Sequence, residues 1–168
     1  MEIKQNKNLL LVILVVAIII IASGIFLIFS NDPINNNPEG AIEGLTQSIN
    51  NADGKDAADF TISKFGPSEE YDETVEFYHH MGLYIQVETH EVSVFYSEDM
   101  ADNYHLEMQN VTHQLENDYN VEIQNYCYLN VSRTYNYWNG TVEYQGFRNF
   151  GCVQIDSLWY ICPFDYYG

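Results

Sequence analysis

The stretch CYLNVSRTYNYWNGTVEYQGFRNFGC, residues 127–152, alternates its side chains with a period of two on either side of Asn139-Gly140. Asn-Gly is the strongest short signal for a two-residue type I′ turn, so the stretch is predicted to be a β-hairpin. A turn centred there sets Tyr137 opposite Val142, Tyr135 opposite Tyr144, Val131 opposite Arg148, Leu129 opposite Phe150 and Cys127 opposite Cys152. Arg133 then opposes Gly146. The other face holds Asn130, Ser132, Thr134 and Asn136 against Asn149, Phe147, Gln145 and Glu143. One face reads as core and the other as mostly solvent, and this polarity supports the register.

Outward from the hairpin the pattern is helices first and strands last. Ile42, Leu45 and Ile49 recur at helical spacing before Asn50-Asn51-Ala52-Asp53-Gly54. A second short helix is expected over 55–64, stopped by Gly66-Pro67. Ser68 is placed to cap a third, with Glu69 and Glu70 favoured by the dipole of its first turn. Its apolar stripe is Tyr71, Val75, Tyr78 and Met81, and Gly82 is expected to close it. Residues 83–96 read as a strand whose inward parity slips near His90-Glu91, a sign of a bulge. Met100, Tyr104, Met108, Val111, Leu115 and Tyr119 then trace a long helix. From Val121 onward the period is two, in three strands. The fold class is α+β: helices packed on a curved antiparallel sheet, behind an N-terminal transmembrane helix.

That helix is residues 9–29, an uncharged run of 21 residues interrupted only by Ser23 and Gly24. As a helix it spans roughly 32 Å, enough for the ~30 Å hydrocarbon core of a bilayer. Lys4 and Lys7 precede it and Asp32 and Glu39 follow. The positive-inside rule puts the N-terminus in the cytoplasm and the C-terminal domain outside, in a single-pass protein of the cell membrane. A cleaved signal peptide is the rival reading, but its apolar core is normally shorter and Ala22-Ser23-Gly24 is followed by more hydrocarbon. No Cys ends the run, as a lipoprotein signal requires, and the processing pattern of a pilin is missing. The expected layout is a stub over 1–8, the anchor, a polar linker with two prolines over 30–38, and one exported domain over 39–168.

The whole chain has a net charge of −18, and all but Glu2 of its 24 acids lie beyond the anchor, with four of its six Lys and Arg residues. Such a domain repels nucleic acid and anionic lipid, whose binding needs phosphates to be neutralised. Nucleic acid is therefore set aside as a partner. The acidity reads first as solubility. A calcium loop would need alternating oxygen ligands around a Gly, and Asn51-Ala52-Asp53-Gly54-Lys55-Asp56 lacks both the ligand order and a closing Glu. Aromatic residues make up 15% of the chain, enough to build a core despite the charge.

Three features together resemble the nuclear-transport-factor-two-like (cystatin-like) superfamily: the early helix pair broken at residues 51–58, the hairpin rich in β-formers, and the ending Val153-Gln154-Ile155-Asp156-Ser157-Leu158-Trp159-Tyr160-Ile161. The last is similar to that family's final hairpin, with Ser157 where Gly is usual. The long helix between strands departs from the plain family order. The resemblance covers residues 39–165 and implies a cone of curved sheet over helices with a concave pocket. It implies no reaction.

Five histidines show no metal-ligand spacing, no Ser lies in a nucleophile elbow, and no Gly-rich phosphate loop is present. No metal, cofactor or catalytic residue is assigned. On the core face of the hairpin, Arg133 and Arg148 are diagonal neighbours beside Tyr135 and Tyr144. These four form the candidate pocket, fit for a carboxylate or phosphate. The alternative is that each Arg pairs with an internal acid. Cys127 and Cys152 are expected at a non-hydrogen-bonded cross-strand site and to form a disulfide outside the cell, with Cys162 as the competing partner for Cys152. Asn110, Asn130 and Asn139 open sequons for N-glycosylation. The expected function is non-catalytic binding of a small ligand, such as a small anion, or of another surface protein. An enzyme working in the pocket and a structural envelope component are the alternatives.

Overall fold

The computed structural model describes residues 33–162. The anchor expected over residues 9–29 lies outside them, and no helix among the described residues is long and apolar enough to cross a membrane. The domain is α+β, with four helices and a curled antiparallel sheet of four strands in the order β1-β2-β3-β4.

A single 3-10 turn, Ile34–Asn36, opens the fold, and buried Asn35 donates from Nδ2 to the carbonyl of Trp159 at 3.0 Å. Residues 34–38 thus belong to the folded domain rather than to the linker the sequence suggests. Helix α1 (Pro38–Asn50) is capped by Asn37, whose side chain accepts from the Gly40 N–H at 2.7 Å, and Pro38 takes the first helical position. Helix α2 (Gly54–Asp59) is capped in the same way by Asp53. The second helix expected over 55–64 is split: α2 ends at Asp59 and a 3-10 turn, Ile62–Phe65, follows. Helix α3 (Ser68–Tyr84) begins one residue after Pro67, and Ser68 makes no capping bond.

Gly82 does not close α3. A Cβ there would come within 2.1 Å of the Ile49 carbonyl oxygen, and one at Gly54 within 2.0 Å of the Val75 carbonyl oxygen. The two glycines let α3 lie backbone to backbone on α1 and α2, and the helix runs past Gly82 for that reason.

Strand β1 (Ile85–Tyr96) pairs with β2 (Asn125–Tyr137), with a bulge between Thr89 and Glu91 where the parity slip was read. Strand β2 pairs with β3 (Val142–Ile155), and β3 with β4 (Leu158–Ile161). The hairpin turn is not the expected type I′. Tyr137 N–H donates to the Thr141 carbonyl at 2.8 Å, Gly140 N–H to the Tyr137 carbonyl at 2.9 Å, and of the loop residues Gly140 alone has positive φ, at 84°. This is a three-residue loop, a tight turn closed by a left-handed glycine. It shifts the pairs nearest the turn by one: Tyr135 faces Glu143, Thr134 faces Tyr144 and Arg133 faces Gln145. A bulge at Gly146-Phe147 restores the expected register at Val131–Arg148, and Cys127 faces Cys152.

The sheet is covered on both faces. Helix α1 packs on the face that carries Cys127, Leu129, Val131 and Phe150. Helix α4 (Asp102–Tyr119) lies on the opposite face, where Met108, Val111 and Leu115 bury Tyr128, Val153 and Tyr160. The second face is therefore solvent only toward the hairpin tip. Near β4 it is core, which is why Phe150, Gly151, Cys152 and Val153 are buried in succession.

Candidate functional site

One stripe of α3 and one face of the sheet leave a cleft of about 720 Å³ between them. From α3 come Glu73, Glu76, Phe77, His80, Met81 and Tyr84, spaced by three and four and so on one side of the helix. From the sheet come Ile85, Tyr135, Tyr137, Glu143 and Gln145. Ile85 faces Tyr137 and Tyr135 faces Glu143 across adjacent strands, so these side chains share a face. The lining combines four aromatic rings with three carboxylates and holds no Lys or Arg.

The wall is fixed where it meets the sheet. Trp138 N–H donates to the Tyr84 carbonyl at 2.9 Å, tying the hairpin loop to the end of α3. The Tyr137 hydroxyl donates to the Glu143 carboxylate at 3.1 Å, and that bond holds the phenol above its usual pKa. At the rim the large apolar side chains are open to solvent: Phe77 is 62% exposed and Trp138 77%.

The four residues of the expected anion pocket are not brought together. Arg133 is buried, at 5% exposure, with its guanidinium 4.7 Å from the centre of the Phe150 ring. Its Nη2 reaches the Thr46 hydroxyl at 3.4 Å, and its Nε has no hydrogen-bond partner among the described residues. Tyr135 stays on this face and lines the cleft. Tyr144 is on the other face, opposite Thr134 with its ring 6.2 Å from that of His90, because the loop and bulge shift it by one position. Arg148 opposes Val131 as expected but is exposed. Pairing of each Arg with an internal acid is not seen either: the one salt bridge among the described residues joins Lys55 to Asp59 at 3.7 Å.

Cys127 and Cys152 are cross-strand partners, and both are fully buried. Both are free thiols, and Cys162 is buried close by. Burial, with Cys127 and Cys162 nearby, pushes the Cys152 thiol well above its ordinary pKa. The Gly151 carbonyl accepts from Cys162 N–H at 2.9 Å, so Gly151 turns its backbone to β4 and Cys152 turns its own to β2. Cys127–Cys152 is thus a hydrogen-bonded pair, not the non-hydrogen-bonded site expected from a two-residue turn.

Of the sequon residues, Asn110 is exposed on α4 and Asn139 is exposed in the loop. Asn130 donates to Asn149 Oδ1 at 2.8 Å, and its sequon Ser132 is buried. Among the described residues no three His, Cys, Asp or Glu side chains are grouped to hold a metal ion.

The α3 stripe is the part of the site that sequence reading missed. The run of acids at its start reads as a solvated face. The usable signal was Phe77 and Tyr84, two rings at helical spacing outside the half-buried stripe of Tyr78 and Met81. Comparison with protein-family models, with characterised proteins and with solved structures finds no match to this chain.

Proposed function

We propose that the chain is an exported binding module, held at a cell membrane by residues 9–29, whose cleft between α3 and the sheet receives part of another molecule without transforming it. The observation that carries this reading is a roomy cleft walled by Phe77, Tyr84, Tyr135 and Tyr137. Rings left open to water at a concave surface mark recognition more often than packing. Kinship with the nuclear-transport-factor-two-like cone belongs to the same proposal, since that fold places its pocket between helix and sheet.

The position of the cleft suits the role. The chain reaches the domain at Ile34, beside Trp159, and Trp159 pairs with Gln154, which pairs with Asn125 at the start of β2. The loop over 138–140 is at the other end of that 13-residue strand, about 40 Å along it. The start of the domain at Ile34 and the cleft therefore lie toward opposite ends of β2.

The reading is tested in intact cells with a photo-crosslinking side chain at Tyr84 or Tyr137 and, as a control, at His113 on α4. Adducts specific to the two cleft positions are expected, and the same adducts at His113, or none at the cleft, would remove the proposal. Protease added to those cells should degrade the C-terminal domain and spare an N-terminal tag. Survival of a C-terminal tag that is cut only after lysis reverses the orientation.

A further inference from the structure

The chemistry of the cleft says more than that something binds there. Glu73, Glu76 and Glu143 alternate with aromatic rings, and beside them the lining holds one imidazole, His80, and no Lys or Arg. None of the three acids is held in a salt bridge among the described residues. Each aromatic face carries a partial negative charge that adds to the field of the carboxylates. Beyond the lining, Trp138 is 77% exposed with its ring 6.4 Å from that of Tyr84, so apolar surface continues past the cleft mouth. Arg133, the nearest buried cation, is covered by Phe150 and does not line the cleft.

We infer that the occupant of this cleft is a basic segment of a partner protein, with Lys or Arg side chains lying between the rings and the carboxylates and its apolar residues on the exposed rim. This rests on the reading of the cleft as a binding site and names the class of partner. A cation in this position gains from rings and carboxylates together, and an aromatic face alone attracts it by about 0.5–2 kcal/mol. An anionic or acidic partner would meet three carboxylates with no Lys or Arg beside them. The open rim favours a chain segment over a small enclosed cation, because a segment also covers Trp138. Charge complementarity also speeds encounter, since the whole chain carries −18.

The test uses the full chain in non-ionic detergent and a capped, labelled peptide of alternating lysine and serine around one tyrosine. A twin with every lysine acetylated is neutral and of similar shape. The basic peptide should bind at least about tenfold more tightly than the twin, and less tightly as salt is raised. Glu73→Gln with Glu76→Gln and Glu143→Gln should cost about tenfold. A control with the same charge removed elsewhere, Glu98→Gln with Asp118→Asn and Glu122→Gln, should stay within about twofold. Equal losses in both triple variants would mean diffuse attraction to an acidic surface and would overturn the inference, as would no binding of the basic peptide. Equal binding of the twin, lost from both peptides in Phe77→Ala with Tyr84→Ala, would overturn the basic-segment inference and leave the cleft reading intact. Peptide binding that ignores Phe77→Ala with Tyr84→Ala would count against the cleft itself.

Discussion

The side chain of Asn50 pairs with both backbone groups of Val87, accepting from its N–H at 2.7 Å and donating to its carbonyl at 2.8 Å. β1 is an edge strand, and unpaired backbone on an edge invites association. One carboxamide at the end of α1 takes the place of a neighbouring strand. Asn50→Ala should cost about 1–3 kcal/mol, since two backbone groups lose their partner. Urea unfolding measures the loss, and hydrogen exchange should quicken first at Val87. Unchanged exchange there would show the pair to be dispensable.

Asp156 and Ser157 have φ of 50° and 68°, joining β3 to β4 through two left-handed residues. An L side chain in that region costs roughly 1–2 kcal/mol that glycine does not. Ser157→Gly should therefore stabilise the domain by up to about 1 kcal/mol, and thermal melting will show it. A lower melting temperature would mean that the Ser157 N–H bond to Gln124 Oε1, at 2.9 Å, depends on the serine conformation.

Gly82→Ala pushes a methyl group against the backbone of α1, where the nearest atom is a carbonyl that cannot swing away. A cost of about 1–3 kcal/mol is expected, as for other overpacked sites. Because α3 is one wall of the cleft, ligand affinity should fall along with stability. Loss of stability with unchanged affinity would separate the helix contact from the site.

Exposure to an oxidising environment should join Cys127 to Cys152, because no other pair of thiols is directly opposed across two strands. In the chain-entropy model, closing this loop of about 25 residues contributes ~3.5 kcal/mol, less any strain from bridging a hydrogen-bonded pair. Non-reducing peptide mapping identifies the bond. A Cys152–Cys162 linkage would contradict the expectation.

The phenol of Tyr78 is pushed up from 10.0 to about 12, chiefly by loss of water around it, with Arg133 pulling the other way. A raised acid favours the folded state while it stays protonated. That contribution is whole below pH 10.0 and is lost as the pH climbs through about 12. Tyr78→Phe should flatten the alkaline loss of stability over this window. Arg133→Met should move the tyrosine higher still while leaving stability equal or greater, since a buried unpaired charge is costly. Ultraviolet titration and melting at several pH values check both, and a Tyr78→Phe profile identical to that of the parent protein would refute the assignment.

The elements were legible because they rest on local chemistry: the stripe from Met100 to Tyr119, the alternation through β2 and β3, the parity slip at His90. The register at Cys127–Cys152 was legible as well, though through two compensating errors. The loop is one residue longer than Asn139-Gly140 implied, and a bulge absorbs the difference. The clue to the bulge was Gly146, since a glycine inside a strand pattern often marks one. What sequence could not carry was which face α4 would cover. That depends on Tyr128 being buried, with Tyr126 packed beside it, on the side whose neighbours, Asn130 to Asn136, are polar. The anion pocket failed for the same kind of reason: membership of a face was set by the bulge, not by the period.

That bulge has an evolutionary side. In the unbulged register Tyr144 and Gly146 would occupy the inner positions now held by Glu143 and Gln145, while the core end from Val131 to Cys127 would stay as it is. Loss of Val142 is therefore a single genetic step that exchanges an acid for a phenol beside Tyr135. The chain carries two alternative linings for one cleft, and lineages could change what they recognise without rebuilding the domain that holds it.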